Sequence, residues 1–215
     1  MHTLKDTAEQ IRTRLRAARA AMSDAQRQRD GEAICARLAR WMDTITSTGT
    51  TPAGSSRLPT VAGFWPLAGE PDLTAVLRAL DARGIRIALP VMTGPGLPLE
   101  FHRWRRNDAL QAGPFGVMQP VRGQPLHPDI ILAPTLGYTR KADRIGYGAG
   151  FYDRTLAAMH NAGHSPLAVG IGWREGLIDT TVDAYVPQAH DIPLTGILTP
   201  DGWWPAEPNP VGKRT

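Results

Sequence analysis

Arg144-Ile145-Gly146-Tyr147-Gly148-Ala149-Gly150-Phe151-Tyr152-Asp153-Arg154 sets three alternating glycines between an arginine and an aspartate. An apolar run, Ile130-Ile131-Leu132-Ala133, ends just upstream at Pro134, and an amphipathic run with Leu156, Ala157 and Met159 follows. The order is therefore strand, loop, glycine-rich turn and helix. Glycine lets backbone N–H groups approach an anion closely, and a helix N-terminus adds partial positive charge. Alternating glycines alone fit a tight strand-to-helix turn. Arg144 and Asp153 move the reading to a phosphate site, because one side chain can pair with phosphate and the other can hold a divalent cation beside it.

The same strand-and-helix rhythm extends outward from this stretch. Upstream, Val61-Ala62-Gly63-Phe64-Trp65 reads as a strand. Asp72 is the candidate N-cap of a helix bearing Leu73, Val76, Leu77 and Leu80, which stops at Gly84. Ile85-Arg86-Ile87-Ala88-Leu89 is the next strand, closed by Pro90. That is a βαβ unit, expected to be right-handed with parallel strands. Residues 99–104 read as a further strand, and Gly113-Pro114-Phe115-Gly116 as a turn into Val117-Met118-Gln119-Pro120. Downstream, Asn161-Ala162-Gly163 ends the helix, residues 167–171 form a buried strand, and Gly196-Ile197-Leu198 a short late one. The alternation predicts an open, mostly parallel α/β sheet with helices on both faces, a Rossmann-like three-layer sandwich. Ligands collect at the carboxyl ends of such strands. Glu70, Phe115 and the glycine loop each follow a predicted strand, which would bring them to one rim.

An N-terminal helical segment precedes the sheet. Asp6 with Glu9 makes a capping start, and Ile11, Leu15, Ala18 and Met22 recur at helical spacing. Ser23-Asp24-Ala25-Gln26 is a second capping box, so two helical pieces with a break near Ser23 are expected over residues 6–42. Ile34, Leu38 and Trp41 share a face of the second piece, and Cys35 beside them reads as a small boundary residue. Residues 44–60, rich in Thr, Ser, Gly and Pro, read as a loop. Residues 1–204 are expected to form one domain, with residues 205–215 a flexible tail.

Composition bounds the function. With 215 residues, 42% apolar and 20% charged, the chain can bury one sizeable core. No run of ~18 apolar residues suggests a membrane span, and the first residues lack the apolar core of a secretory signal. Cys35 is the only cysteine, which excludes an internal disulfide framework and a cysteine-rich zinc site. A cytoplasmic protein is expected, with a monomer favoured over an oligomer. The net charge of +4 and a pI near 9.6 suit nucleic acid and anionic small molecules equally. Arg103-Trp104-Arg105-Arg106 is the cluster that keeps a nucleic-acid-binding module open as an alternative, but it lacks the interleaved aromatics of a single-strand platform.

Other glycine-loop chemistries fit poorly. A dinucleotide fingerprint needs Gly-x-Gly-x-x-Gly early in a βαβ unit with an acid closing the next strand. A Walker-type loop needs Gly-Lys-Ser/Thr, and a serine nucleophile elbow needs Gly-x-Ser-x-Gly. None of these occurs.

The residues instead resemble a known family. Asp129-Ile130-Ile131-Leu132-Ala133-Pro134, Leu136-Gly137-Tyr138 and the stretch from Arg144 to Leu156 resemble the signature of 5-formyltetrahydrofolate cyclo-ligases, also called methenyltetrahydrofolate synthetases. Arg19-Ala20-Ala21-Met22-Ser23, residues 64–72, 84–90 and 115–120, and the segment from His190-Asp191 to Thr199 resemble further parts of the same family. The resemblance covers most of residues 10–200. It implies an ATP- and magnesium-dependent enzyme that cyclises 5-formyltetrahydrofolate, with or without a polyglutamate tail, to 5,10-methenyltetrahydrofolate. ADP and phosphate are released. An enzyme of the same kind acting on another formyl or amide substrate is the alternative. Such chemistry needs phosphate clamps and strict positioning more than a nucleophilic side chain.

Residue by residue, the resemblance gives Arg144 and Tyr152 catalytic roles at the phosphates. Arg12, Gly146, Gly148 and Gly150 join them around ATP. Trp65, Glu70 and Phe115 would hold the folate, with Tyr147, Gly148, Ala149, Gly150 and Phe151 on the loop. Asp153 and Asp191 would hold magnesium. Two departures stand out. The lysine that the family carries on its first helix falls at Ala8 or Glu9 here, with Lys5 one turn earlier, and Ala149 stands where many members have a basic residue.

Overall fold

The computed structural model describes residues 8–180, 185–188 and 191–209. Two helices come first, α1 (Ala8–Ala20) and α2 (Asp24–Ser47), broken where Ser23 caps α2 by accepting a hydrogen bond from the Gln26 N–H. The break is the predicted one, but α2 runs on to Ser47, so the connecting loop is shorter than residues 44–60.

The βαβ unit follows as β1 (Thr60–Ala62), α3 (Thr74–Ala82) and β2 (Arg86–Met92), with β1 and β2 parallel. The cap position of α3 is Leu73 rather than Asp72, although the Asp72 carboxylate accepts from the Thr74 N–H at 2.8 Å. Pro90 does not close β2, which continues through it. The pairing with β1 ends at Ala88, and Pro90 faces only the antiparallel neighbour β3 (Leu99–Trp104), so its missing N–H breaks no parallel ladder.

Short strands β4 (Leu110–Ala112) and β5 (Met118–Pro120) pair around the turn at Phe115. β6 (Ile130–Pro134) leads into a two-residue hairpin, β7 (Gly137–Tyr138) and β8 (Arg144–Ile145). Then come α4 (Phe151–Asn161), β9 (Leu167–Ile171), β10 (Gly196–Thr199) and β11 (Gly202–Trp204).

The main sheet runs β11-β10-β9-β6-β1-β2-β3, parallel in its five central strands and antiparallel at both edges. Alternation along the strands builds two cores. Ile130 and Leu132 face α2 and α3, among Ile34, Leu38, Trp41 and Leu77. Ile131 and Ala133 face α4, among Tyr152 and Leu156. The three-layer α/β architecture is the one the sequence predicts.

α1 stands apart from both layers. Its Ile11 and Leu15 pack on Leu136, Ile145 and Ile178, around the β7–β8 hairpin. That small core fixes which way the arginines of α1 point. At the far end, residues 48–59 are tied to the amino rim, where Arg57 donates twice to the buried Asp129 carboxylate, at 2.7 and 2.9 Å. Asp129 also accepts from the Thr60 N–H. The chain is held at Pro208 too. Pro208 is buried, and its carbonyl accepts from the Trp41 indole at 2.9 Å, where composition suggested a loose tail. No helix among the described residues is long and apolar enough to cross a membrane.

Candidate active site

Taken in chain order, the five parallel strands lie as second, first, third, fourth, fifth, so the winding reverses between β1 and β6. A reversal opens a crevice beyond the carboxyl ends of the strands. A cavity of about 590 Å³ lies there, reached by Phe64 and Trp65 after β1, Pro90 and Met92 on β2, and Pro134 on β6. Its other walls are the glycine loop, Ala8 and Arg12 of α1, Phe115 at the β4–β5 turn, and Tyr185, Gln188 and Asp191.

The loop is shaped by arginines. Arg144, buried on β8, donates to Asp153 at 2.9 Å on the first turn of α4 and lies over the Tyr152 ring, 5.3 Å from its centroid. Gly146 makes room for that guanidinium, since a Cβ there would stand 2.6 Å from Arg144 Nη1. Gly150 takes φ 66 as the N-cap of α4, a left-handed conformation that favours glycine. The loop carbonyls are held from outside: Arg12 Nε donates to Gly146 O at 3.1 Å, Arg16 to Tyr147 O at 3.2 Å, and Arg154 to Ala149 O at 2.7 Å. An anion at this turn would meet a dense cationic surround at a helix N-terminus.

Glu70 forms the opposite pole. It is buried, and its two oxygens accept from the Leu67 N–H at 2.9 Å and the Tyr147 hydroxyl at 2.6 Å. Burial pushes its pKa up, against the lowering effect of those hydrogen bonds and of Arg19. Arg19 itself donates to the Tyr147 hydroxyl and to Thr135 O. Tyr152 is pushed up mainly by burial, so it is a neutral phenol at neutral pH, a donor rather than a base. Tyr185 is raised by burial and by Asp191, Asp143 and Asp153.

Apolar surface flanks the two poles. Trp65 packs edge-on against the buried Trp104 at 5.8 Å. Phe115 holds φ 57, is 76% exposed, and meets Phe151 edge-on at 6.1 Å.

All the predicted positions line this one cavity: Arg12, Trp65, Glu70 and Phe115, Arg144 and the loop from Gly146 through Asp153, and Asp191. The carboxylates are Asp153, engaged by Arg144, and Asp191, which accepts from the Gln188 N–H at 2.8 Å. Among the described residues no three His, Cys, Asp or Glu side chains cluster as a metal cage. A nucleotide-bound magnesium does not need one, because it keeps waters and phosphate oxygens and takes only one or two carboxylates. The donor set therefore fits such an ion. Lys5 and His190 lie outside the described residues.

Sequence reasoning missed Arg16, Arg19, Tyr185 and Gln188 as site residues. A signal for the first two was present, since Arg12, Arg16 and Arg19 are spaced by four and three and share one helix face. The Arg103–Arg106 cluster, by contrast, is structural: Trp104 is buried, Arg103 pairs with Asp81, and Asp81 also accepts from the Arg106 N–H.

Known proteins share this fold. The structure of the 5,10-methenyltetrahydrofolate synthetase of Aquifex aeolicus superposes with a TM-score of 0.71 over 92% of this chain and 91% of that one, at 23% identity, which speaks to the fold. In sequence, the 5-formyltetrahydrofolate cyclo-ligase of Mycolicibacterium smegmatis is 32% identical over 203 residues, covering 89% of this chain and 92% of the relative. That of Haemophilus influenzae is 26% identical over 198 residues, covering 88% and 96%. The sequence profile of the family spans residues 4–200, glycine loop and crevice included. By fold, by sequence and by the extent of the match, the chain belongs to the 5-formyltetrahydrofolate cyclo-ligase family.

Proposed function

We propose that the protein joins the formyl carbon of 5-formyltetrahydrofolate to N10 at the expense of ATP, giving 5,10-methenyltetrahydrofolate, ADP and phosphate. The observation that carries this reading is a single cavity with two unlike poles, an arginine-lined glycine turn at one side and a buried glutamate among aromatics at the other. The first suits nucleotide phosphates and the second a flat, polar heterocycle. Family membership supplies the reaction that joins them.

In the reaction, the formyl oxygen takes the γ-phosphoryl group and ADP leaves. N10 then attacks the activated carbon and gives up its proton to the departing phosphate or to water, and the carbon–oxygen bond breaks as phosphate leaves with that oxygen. Arg144 would stabilise charge on the transferring group, and Arg12 and the loop amides would hold the other phosphate oxygens. The Tyr152 phenol offers a neutral donor beside them. Glu70 accepts hydrogen bonds and is suited to fix the folate's reactive end, with Trp65, Phe115 and Phe151 covering the pterin against water. Asp153 and Asp191 would hold magnesium, which when bound neutralises charge between the phosphates.

Mixing purified protein with 5-formyltetrahydrofolate, ATP and Mg²⁺ is expected to raise the near-ultraviolet absorbance of the methenyl product. A folded protein that gives no such rise overturns the reading. ATP consumption driven only by some other formyl compound would replace the substrate.

A further inference from the structure

Arg19 contributes nothing to the cavity wall, yet it joins three of the elements that build it. It lies in the last turn of α1 and is only 8% exposed. One nitrogen, Nη2, donates to Thr135 O at 2.8 Å, just past the carboxyl end of β6. The other, Nη1, donates to the Tyr147 hydroxyl in the glycine loop. Its own carbonyl is held by Arg27 at 3.0 Å. The aliphatic stem lies along Gly69, whose carbonyl accepts from Trp173 and whose neighbour is Glu70.

These contacts set a direction for one proton. A phenol oxygen that accepts from a guanidinium must send its own hydrogen elsewhere, and the acceptor within reach is Glu70 Oε1 at 2.6 Å. The Leu67 N–H occupies the other oxygen. Both carboxylate oxygens are thus fixed, one by backbone and one by a hydroxyl whose orientation Arg19 dictates. Without Arg19 the Tyr147 hydroxyl is free to turn.

We propose that Arg19 is a positioning residue for the folate pole of the site, acting through Tyr147 to orient the Glu70 carboxylate while taking no part in phosphate binding. It is separated by function from Arg12, which lies two turns earlier on the same helix face and lines the cavity. The proposal rests on the folate reading of the cavity.

The test is steady-state kinetics on wild type, Tyr147→Phe, Arg19→Met and the double variant, with folate and ATP varied separately. Losing a hydrogen bond to a charged group is expected to lower kcat/KM for 5-formyltetrahydrofolate roughly tenfold in each single variant, with the KM for ATP unchanged. Because the two residues act in series, the double variant is expected to lose no more than the worse single. Arg19→Lys, which keeps one charged donor, should recover part of the loss. Multiplying losses, or an ATP KM that shifts as much as the folate KM, would overturn the proposal. Should Arg19→Met fail to fold, Tyr147→Phe removes a single oxygen, and its folate-against-ATP split decides the question. A wild type that makes no methenyl product sinks the reaction instead, and the positioning role is then read from folate titrations of tryptophan fluorescence. There, equal folate affinity in wild type and Tyr147→Phe would overturn it.

Discussion

Gly146 is defined by an atom it lacks. Any side chain there must displace the Arg144 guanidinium or move the backbone, because the nearest nitrogen would be 2.6 Å away. Gly146→Ala is therefore expected to fold with a near-normal melting temperature but to lose about 100-fold in kcat, the usual scale for an ångström of misplacement. Thermal melts beside single-turnover measurements check both halves. Glu70 carries the opposite kind of signature, in stability. Its folded pKa is raised by burial, so the folded state holds the proton more tightly than the unfolded one. Its carboxylate consequently lowers stability as pH climbs past the ordinary glutamate value and through the raised folded one. The difference in melting temperature between Glu70→Gln and wild type should grow in favour of the variant over that window, whatever its offset at low pH. A difference that stays flat or shrinks would contradict the burial cause. At this scale Gly146, Asp153 and Arg144 were legible, because they sit in one short run with an obvious chemistry. Arg19 was not. Its partners Thr135 and Tyr147 lie 116 and 128 residues away, and such contacts leave no periodic trace in the chain.

Elements differ in how much local signal they carry. Strands β6 and β9 read clearly because short runs with no polar side chain have few other uses. The β7–β8 hairpin, two residues a side, is shorter than any hydrophobic period, and β11 is a three-residue strand near the expected tail. Pro90 misled for a different reason, since a proline ends a central ladder but not a strand whose parallel partner has already stopped. The loop of residues 48–59 can be assigned by contact alone. Its anchor is Arg57 on Asp129, at the amino end of β6, opposite the cavity. Two glycines inserted at the exposed Gly54 should leave both KM values and kcat unchanged. If the insertion raises either KM, the loop reaches the site after all. Asp129→Ala strips the Thr60 N–H of its acceptor as well as Arg57, and should cost about 1–3 kcal/mol in urea unfolding with turnover intact.

Across the whole molecule, the strand order does what no single residue could announce. Strand identity and βαβ parallelism were readable, but the reversal between β1 and β6 comes from the long return through β3, β4 and β5, which has no α-helix to mark it. That reversal is what gathers Trp65, Glu70, Phe115 and Asp191 around the glycine loop. The same topology pushes chemistry to one rim and anchorage to the other. Glycine loop, arginines and aromatics occupy the carboxyl ends of the strands, while Asp129, Arg57 and Thr60 lock the amino ends. For anyone redesigning the protein, this gives two nearly independent dials. Heat tolerance is set around the Asp129 clamp, and selectivity can be altered at the exposed Phe115, with little trade-off between the two campaigns; the buried Glu70 belongs to both.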